Sequence, residues 1–219
     1  MRFDRVTVPA VDPDAMGGWY RSRFAPTAGS PEDASTVRLG ETTLEFTAAD
    51  SAPPAHLAVR LLLDGAAAVD WLSERATLLP VDGEPSRWFE FLDATAIYFE
   101  DVGGNVLEGV CYDGDRRRSD NSTAVVDGLT EVGLPTPDPL ALVEWLEGTV
   151  GLSAWGSPGE TFAWVGDRHA RFVVIPTGRE WYPTQRVADL APMSVTVSEE
   201  AANTGRHVHP RLPYEFVVG

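Results

Sequence analysis

One pattern recurs along the chain and restricts what it can fold into: a short alternating strand, a helix, and then further strands. The pattern appears in four successive segments, at 3–47, 56–112, 131–175 and, in shortened form, 192–218. The helices are predicted at 14–24, 66–75 and 139–149, and the fourth segment has none. A repeat of about 50 residues built in this way cannot bury its sheet face alone, so the segments, modules 1 to 4 below, must pair.

The modules predict an α+β fold in two domains. Residues 1–113 are expected to form a complete domain from modules 1 and 2. Residues 114–128 are charged, small and polar and are predicted to be a linker, and 129–219 are expected to form a second, shortened domain. The shortened module leaves that half with less sheet than the first, which favours a homodimer contact.

Charge excludes several classes of partner. The chain has 33 acidic and 17 basic residues, every base is an arginine, and the formal net charge is −16. Such a surface repels nucleic acid phosphates and anionic lipid, so we expect neither as a partner. Acid-rich, lysine-free composition is typical of halophilic cytosolic proteins, and an arginine-preferring genome is the alternative interpretation.

The sequence gives no sign of secretion or membrane insertion. The first residues alternate apolar and polar, and no apolar run approaches the roughly 18–20 residues that a membrane span needs. A single cysteine, Cys111, excludes an intrachain disulfide. We therefore expect a cytoplasmic protein.

Glu108 is the residue that poses the functional question, because it lies inside an apolar run at 106–110. It is either a metal ligand, half of a buried ion pair, or a carboxylate facing solvent. Strand alternation places Leu107 on the face where helices pack and Glu108 on the other, which favours a cavity-facing position.

The run AIYFEDVGGNVLEGV, which contains Glu108, resembles the closing hairpin of the vicinal-oxygen-chelate superfamily. That superfamily includes glyoxalase I, bleomycin-resistance proteins and extradiol dioxygenases. RFDRVTVPAVD, TTLEFTA and PAHLAVRLL follow in the order of its other cavity-facing strands, although Val102-Gly103 departs from the usual hairpin. RFVVIPTGREWYPT resembles the second half of some two-domain members. The resemblance implies tandem βαβββ modules that form incomplete barrels.

The same resemblance implies one divalent metal (Fe, Mn, Ni or Zn) at the positions of Arg5, Glu45, His56 and Glu108. His56, Glu45 and Glu108 would be ligands, and Glu108 or Glu45 would also act as the catalytic base. Arginine stays protonated and cannot be a ligand. Three alternatives follow: an Arg5–carboxylate pair in place of metal, a three-ligand site with Arg5 turned away, or solvent-facing side chains.

In the second half, Glu131 and Glu215 match the first and last ligand positions. Met193 and Val174 stand where the remaining ligands would be, so we predict a vestigial site there.

Several residues are candidates for contact with a small-molecule ligand. We expect Arg5, Thr7, Arg60 and Trp88 to bind it, and Trp164, Trp181 and Tyr182 are further candidates for an apolar lining. Arg179-Glu180 is predicted to order a loop over the cavity or to bind a carboxylate.

The resemblance supports two functional hypotheses. The first is a metal-dependent lyase, isomerase or ring-cleaving dioxygenase that binds a small organic molecule in the N-terminal cavity. The second is a non-enzymatic protein that binds or sequesters such a molecule, with Arg5 paired to a carboxylate.

Overall fold

The computed structural model describes residues 1–24, 33–115 and 125–219, which form two mixed β-sheets and three α-helices. The helices are α1 (Pro13–Phe24), α2 (Gly65–Ser73) and α3 (Pro139–Trp145), and a π-helical segment, Leu146–Val150, continues α3. Each helix begins after an aspartate whose carboxylate accepts a hydrogen bond from the backbone N–H three residues later, namely Asp12, Asp64 and Asp138. None of these helices is long and apolar enough to cross a membrane.

The first sheet has six strands: β1 (Arg2–Ala10), β2 (Thr36–Leu39), β3 (Thr42–Ala48), β12 (Met193–Ser198), β13 (Gly205–Val208) and β14 (Tyr214–Val218). Their spatial order is β13-β14-β12-β1-β3-β2. Strand β1 pairs with β3 in parallel and with β12 in antiparallel orientation. This sheet therefore joins module 1 to module 4.

The second sheet has eight strands: β4 (His56–Leu61), β5 (Leu78–Leu79), β6 (Arg87–Phe89), β7 (Ala94–Glu100), β8 (Val106–Tyr112), β9 (Val126–Thr136), β10 (Ala163–Gly166) and β11 (Arg171–Pro176). Seven of them lie in the order β10-β11-β9-β4-β8-β7-β5, and β6 pairs with β7. It joins module 2 to module 3. The expected α+β architecture of incomplete, open sheets is confirmed.

The predicted pairing of modules is wrong. The sequence predicts that modules 1 and 2 pair within 1–113, but β1 pairs with β12 and β4 pairs with β9. Strand β9 also begins at Val126, inside the predicted linker 114–128, and residues 116–124 of that linker lie outside the described residues. The pairing differs because the alternation within each strand specifies its buried face but not its neighbour.

One hydrophobic core lies between the two sheets. It contains Val6 and Leu44 of the six-stranded sheet, Leu57 and Leu107 of the eight-stranded sheet, and buried residues of all three helices such as Leu72. The helix-facing side of each sheet therefore packs into this core. The opposite sides of the two sheets point away from each other.

A close backbone approach joins the sheets at the turn between β2 and β3. Gly40 has φ +54°, and a Cβ there would lie 2.2 Å from the backbone of Asp127 at the start of β9. The N–H of Glu41 donates to the Asp127 carbonyl at 2.8 Å. Glycine permits both the left-handed conformation and this contact, which holds β9 against module 1.

Candidate metal and ligand site

Three ligand-type side chains meet on the outer face of the eight-stranded sheet: His56 of β4, Glu108 of β8 and Glu131 of β9. The sheet register places Ala58 beside both Glu108 and Glu131, with His56 two residues earlier on the same face. The His56 Nε2 atom lies 3.6 Å from Glu108 Oε2 and 3.5 Å from Glu131 Oε2. The three residues are 4–5% exposed. They form a buried donor cluster.

The histidine is oriented by a backbone contact. His56 Nδ1 lies 3.1 Å from the carbonyl oxygen of Val106, and a carbonyl can only accept a hydrogen bond, so Nδ1–H donates. Nε2 therefore faces the two carboxyl groups. Burial lowers the pKa of His56, but Glu131 and Glu108 outweigh it and raise that pKa, so metal would displace a proton from Nε2 and take its lone pair. Histidines that bind metals commonly have their second nitrogen fixed in this way.

The donor cluster fits a divalent metal. One ligand atom from each of the three residues can be chosen so that all lie within 4.8 Å of one another. Ligands bound at about 2.0–2.2 Å are about 2.8–3.1 Å apart on an octahedral ion and about 3.3–3.6 Å apart on a tetrahedral one. The His56–carboxylate separations of 3.5 and 3.6 Å are close to that spacing. A slight inward movement of the side chains would complete it.

A buried arginine neutralises one of the carboxylates. Arg171 of β11 is fully buried and makes a short ion pair with Glu131 Oε1. The Arg171 guanidinium also donates to the hydroxyl of Tyr112 at 2.7 Å and to the carbonyl of Arg168 at 3.0 Å, and it lies 5.2 Å from the ring centre of Trp164. Because the ion pair uses Oε1, Glu131 Oε2 is left facing His56.

The electrostatics separate the protonation states of the two glutamates. Burial, together with the charge of Glu131, raises the pKa of Glu108 to about 8. Burial also opposes ionisation of Glu131, but Arg171 and His56 outweigh it and hold the pKa of Glu131 below its usual value. Tyr98, which lies opposite Glu108 on β7, acts in the other direction and favours the ionised form of Glu108. Without metal at neutral pH, Glu131 is therefore the anion and Glu108 carries a proton.

A cavity of about 250 Å³ opens beside the donor cluster. The donor cluster and Tyr98 form its polar wall. Most of the remaining lining is aromatic or aliphatic, with two charged residues, Arg179 and Glu180. The aromatic members beyond Tyr98 are Phe89, Phe91, Phe162, Trp164, Trp181 and Tyr182. An apolar pocket with a few converging polar groups is the usual form of a small-molecule site.

Trp181 packs against His56 at one side of the cavity, in space that is available because Gly133 has no side chain. Its ring stacks on His56 with centroids 5.3 Å apart and an interplanar angle of 24°, and its Nε1 donates to the Pro54 carbonyl at 2.8 Å. A Cβ on Gly133 would lie 2.5 Å from the Trp181 ring and 3.1 Å from His56 Cβ. Gly133 thus makes room for the tryptophan.

Replacing Gly133 with alanine is expected to displace Trp181 and to lower the free energy of unfolding by about 1–3 kcal/mol, because the added methyl overpacks the site. Denaturant unfolding and near-ultraviolet circular dichroism measure the two effects. Gly148→Ala is the matched control, since a Cβ there meets nothing within 4 Å. Equal behaviour of the two variants would contradict the packing argument.

Two of the three residues of the donor cluster were predicted from the sequence to lie in one site. His56 and Glu108 are neighbours as predicted, but Glu45 is not, because β3 belongs to the six-stranded sheet. Arg5 and Thr7 share a face with Glu45, as alternation predicted, and Arg5 Nη1 lies 2.6 Å from Glu45 Oε2. This pair lies on the outer face of the other sheet, so Arg5 does not obstruct the donor cluster.

Arg60 and Trp88, which were predicted to contact the ligand, do not line the cavity either. Arg60 lies further along β4, where it pairs with Asp127 and contacts His169 Nδ1 at 2.9 Å. Trp88 is 51% exposed on β6, and the alternate residue Phe89 lines the cavity instead. Trp164, Trp181 and Tyr182 line it as predicted.

Glu131 was assigned to a separate site, and register explains the error. The two sheets have equivalent strand pairs in the same register. The Thr7–Glu45 pair of the six-stranded sheet corresponds to the Ala58–Glu108 pair of the eight-stranded sheet. In the same way, the Ser194–Glu215 pair corresponds to the Glu131–Arg171 pair. The two sheets are therefore related by pseudo-symmetry, and Glu131 completes the cluster of module 2.

Met193 and Val174, predicted at ligand positions, instead face the core. Val173, which lines the cavity, occupies the strand position that corresponds to Glu108, because it pairs with Gly133 as Glu108 pairs with Ala58. The corresponding outer face of the six-stranded sheet carries ion pairs, Arg5 with Glu45 and Arg206 with Glu215. The predicted positions Met193 and Val174 are each one residue away from a residue of the outer face, Ser194 and Val173, and a shift of one residue in a strand reverses the direction of the side chain.

Comparison with known proteins supports the architecture. Neither a protein-family model nor a curated protein sequence matches the chain. Among solved structures, a "putative dioxygenase" from Bacillus subtilis subsp. subtilis str. 168 superposes with a TM-score of 0.57 at 14% identity, over 100% of this chain and 85% of that one. A glyoxalase I mutant from Zea mays gives 0.51 at 13% identity, over 89% and 74%. With paired modules and open sheets around a cavity, the chain has the fold of the vicinal-oxygen-chelate superfamily.

Proposed function

We propose that this protein binds one divalent metal on His56, Glu108 and Glu131 and a small organic molecule in the adjoining cavity, as a metal-dependent lyase or isomerase. The observation that carries the proposal is the orientation of His56, whose Nδ1 is engaged by the Val106 carbonyl while Nε2 faces two buried carboxyl groups. Fe, Mn, Ni and Zn all accept an imidazole with carboxylates.

Metal bound there would supply Lewis-acid polarisation of substrate oxygens. The protein's own residues would orient the substrate and move a proton. Tyr98 lies opposite Glu108 on the neighbouring strand and favours its ionised form, whereas burial favours a proton on that group. The aromatic walls exclude water from the same space. Glu108 is therefore the proposed proton-transfer residue, and Glu131, fixed by Arg171, keeps a constant charge beside it.

The donor set favours proton transfer over ring cleavage. Iron-dependent oxygenases characteristically use two histidines and one carboxylate. The cluster contains one histidine and two carboxyl groups among the described residues. A lyase or isomerase that shifts a proton next to a carbonyl needs no second imidazole, and a carboxyl group is a competent base for it.

Metal analysis of protein purified without chelator tests the proposal. We expect about one transition-metal ion per chain in the wild type and an affinity at least about 100-fold weaker in His56→Ala, because a ligand has been removed. His169→Ala is the matched control, since His169 is exposed and lies outside the cavity lining. Stoichiometric metal in His56→Ala, or none in the wild type after reconstitution with Mn²⁺, Zn²⁺, Ni²⁺ and Fe²⁺, would overturn the proposal.

A second candidate function is small-ligand binding without metal. Its support is the ion pair of Arg171 with Glu131, which already compensates one buried carboxylate. Arg5 does not pair with a carboxylate of this site, because it pairs with Glu45 on the other sheet. Ligand binding by protein that takes up no metal would favour this candidate.

A further inference from the structure

Four aromatic side chains of the cavity wall, Phe89, Phe91, Trp164 and Phe162, contact one another in a row. Trp164 lies at its centre, with its ring 5.2 Å from Phe91 at an interplanar angle of 32° and 5.0 Å from Phe162 at 79°. Such offset and edge contacts leave ring faces and edges available to a further aromatic ring, which they bind better than a saturated ring of the same size. The volume of about 250 Å³ is slightly below the usual range of ligand pockets, about 300–1,000 Å³. The cavity therefore suits a ligand with one ring.

The guanidinium of Arg179 places a cation at the same cavity. Arg179 lines it, and its guanidinium donates to the Thr161 carbonyl and lies 5.8 Å from the centre of the Phe162 ring. Arg179 makes no salt bridge within the part of the chain that the structure describes, whereas Arg186, in the same loop, binds Glu100 with two hydrogen bonds of 2.7 and 2.8 Å. In a chain of net charge −16, such a cation at a ligand cavity is a candidate anion contact.

The loop that carries Arg179 is held in place before any ligand arrives. The Ala188 N–H donates to the Arg179 carbonyl at 2.8 Å, and Glu180 forms an isolated bridge with Val187. Arg186 ties the same loop to Glu100 at the end of β7. A preorganised guanidinium loses little conformational freedom on binding. Because Glu180 also lines the cavity, its charge opposes that of Arg179 and must be tested separately.

We infer that the cavity binds a single-ring aromatic carboxylate, with its ring against Trp164 and Phe91 and its carboxylate on Arg179. This ligand class belongs to the site proposed above. It rests on that proposed function only for the part of the ligand that would face the metal at His56. An aromatic amide lacks the charge, and a saturated carboxylate lacks the ring, so these two analogues separate the contributions.

Calorimetric titration with benzoate, benzamide and cyclohexanecarboxylate tests the inference at constant ionic strength. Benzoate is expected to bind about tenfold more tightly than either analogue, since one charge-assisted contact and one ring contact are lost in turn. Arg179→Gln should reduce benzoate to the affinity of benzamide. Glu180→Gln, the matched neighbour, should keep or strengthen the preference for benzoate. Phe91→Leu, at an exposed ring, should reduce the preference for benzoate over cyclohexanecarboxylate.

Equal affinities for benzoate and benzamide in the wild type, an unchanged preference in Arg179→Gln, or no binding of any probe at millimolar concentration would overturn the inference. Metal content is measured on the same samples. Metal binding without benzoate binding would leave the proposed function standing and the inference refuted. Benzoate binding by protein that cannot take up metal would support the inference and refute the proposed function.

Discussion

Replacing Arg171 with methionine is expected to lower the free energy of unfolding of metal-free protein by about 3–5 kcal/mol, because the change leaves the buried Glu131 carboxylate without its cation. Both side chains are removed from water, and the Arg171 guanidinium makes three hydrogen bonds at this position. Methionine keeps much of the side-chain volume, so the loss reports charge rather than a cavity. Chemical denaturation in the presence of a chelator measures it.

Two controls separate the ion pair from packing. The double variant Arg171→Met/Glu131→Gln should recover most of the loss, because no uncompensated charge is then buried. Arg5→Met breaks a pair of similar geometry on the other sheet, but Arg5 is 50% exposed, so we expect a change below about 1 kcal/mol. If Arg171→Met cost no more than Arg5→Met, the assignment of Arg171 as the compensating cation would be wrong.

Glu108→Gln is expected to stabilise metal-free protein at alkaline pH. The pKa of Glu108 is raised from 4.5 to about 8 in the fold, so between these values the native state holds a proton that the unfolded state releases. Stability therefore falls as pH rises through this window and levels off above it. The shift corresponds to at most about 5 kcal/mol at 1.36 kcal/mol per unit, and we expect roughly 2–4 kcal/mol at pH 8. Near pH 4.5 the difference should vanish.

Thermal or chemical unfolding across this pH range provides the measurement. Tyr98→Phe removes a hydroxyl group that favours the ionised form of Glu108, so the stability of this variant should fall more steeply with pH than that of the wild type. Saturating metal should reverse the order at pH 8, because the wild type gains binding energy that Glu108→Gln largely forfeits. Parallel curves for wild type and Glu108→Gln would contradict the raised pKa.

Much of the fold could be predicted from local pattern. Alternation correctly placed Arg5, Thr7 and Glu45 on one face and His56 and Glu108 on another, since side-chain direction in a strand depends only on neighbours in sequence. The helix starts could be predicted because their aspartate caps are also local.

The pairing of modules could not be predicted in the same way. Strands of all modules present similar alternating faces, so β4 has no local reason to choose β9 over β1. The role of Glu131 follows from that choice, and so does the contact with Arg171, which lies 40 positions away in sequence. The only sequence feature that points to this role of Glu131 is Arg171, an arginine in an apolar strand. It indicates an ion pair with Glu131 only once β11 is known to pair with β9.

The way the modules pair also bears on how the chain acquires its shape. The sheet that carries the donor cluster uses one continuous stretch, from β4 at His56 to β11 at Pro176. The six-stranded sheet joins Arg2 to Ser198, which are 196 positions apart. Closing so long a loop is slow compared with local pairing. During synthesis from the N-terminus, the eight-stranded sheet can form before β12 has been made. Strand β1 of the six-stranded sheet then remains an unpaired edge on that side until β12 is synthesised.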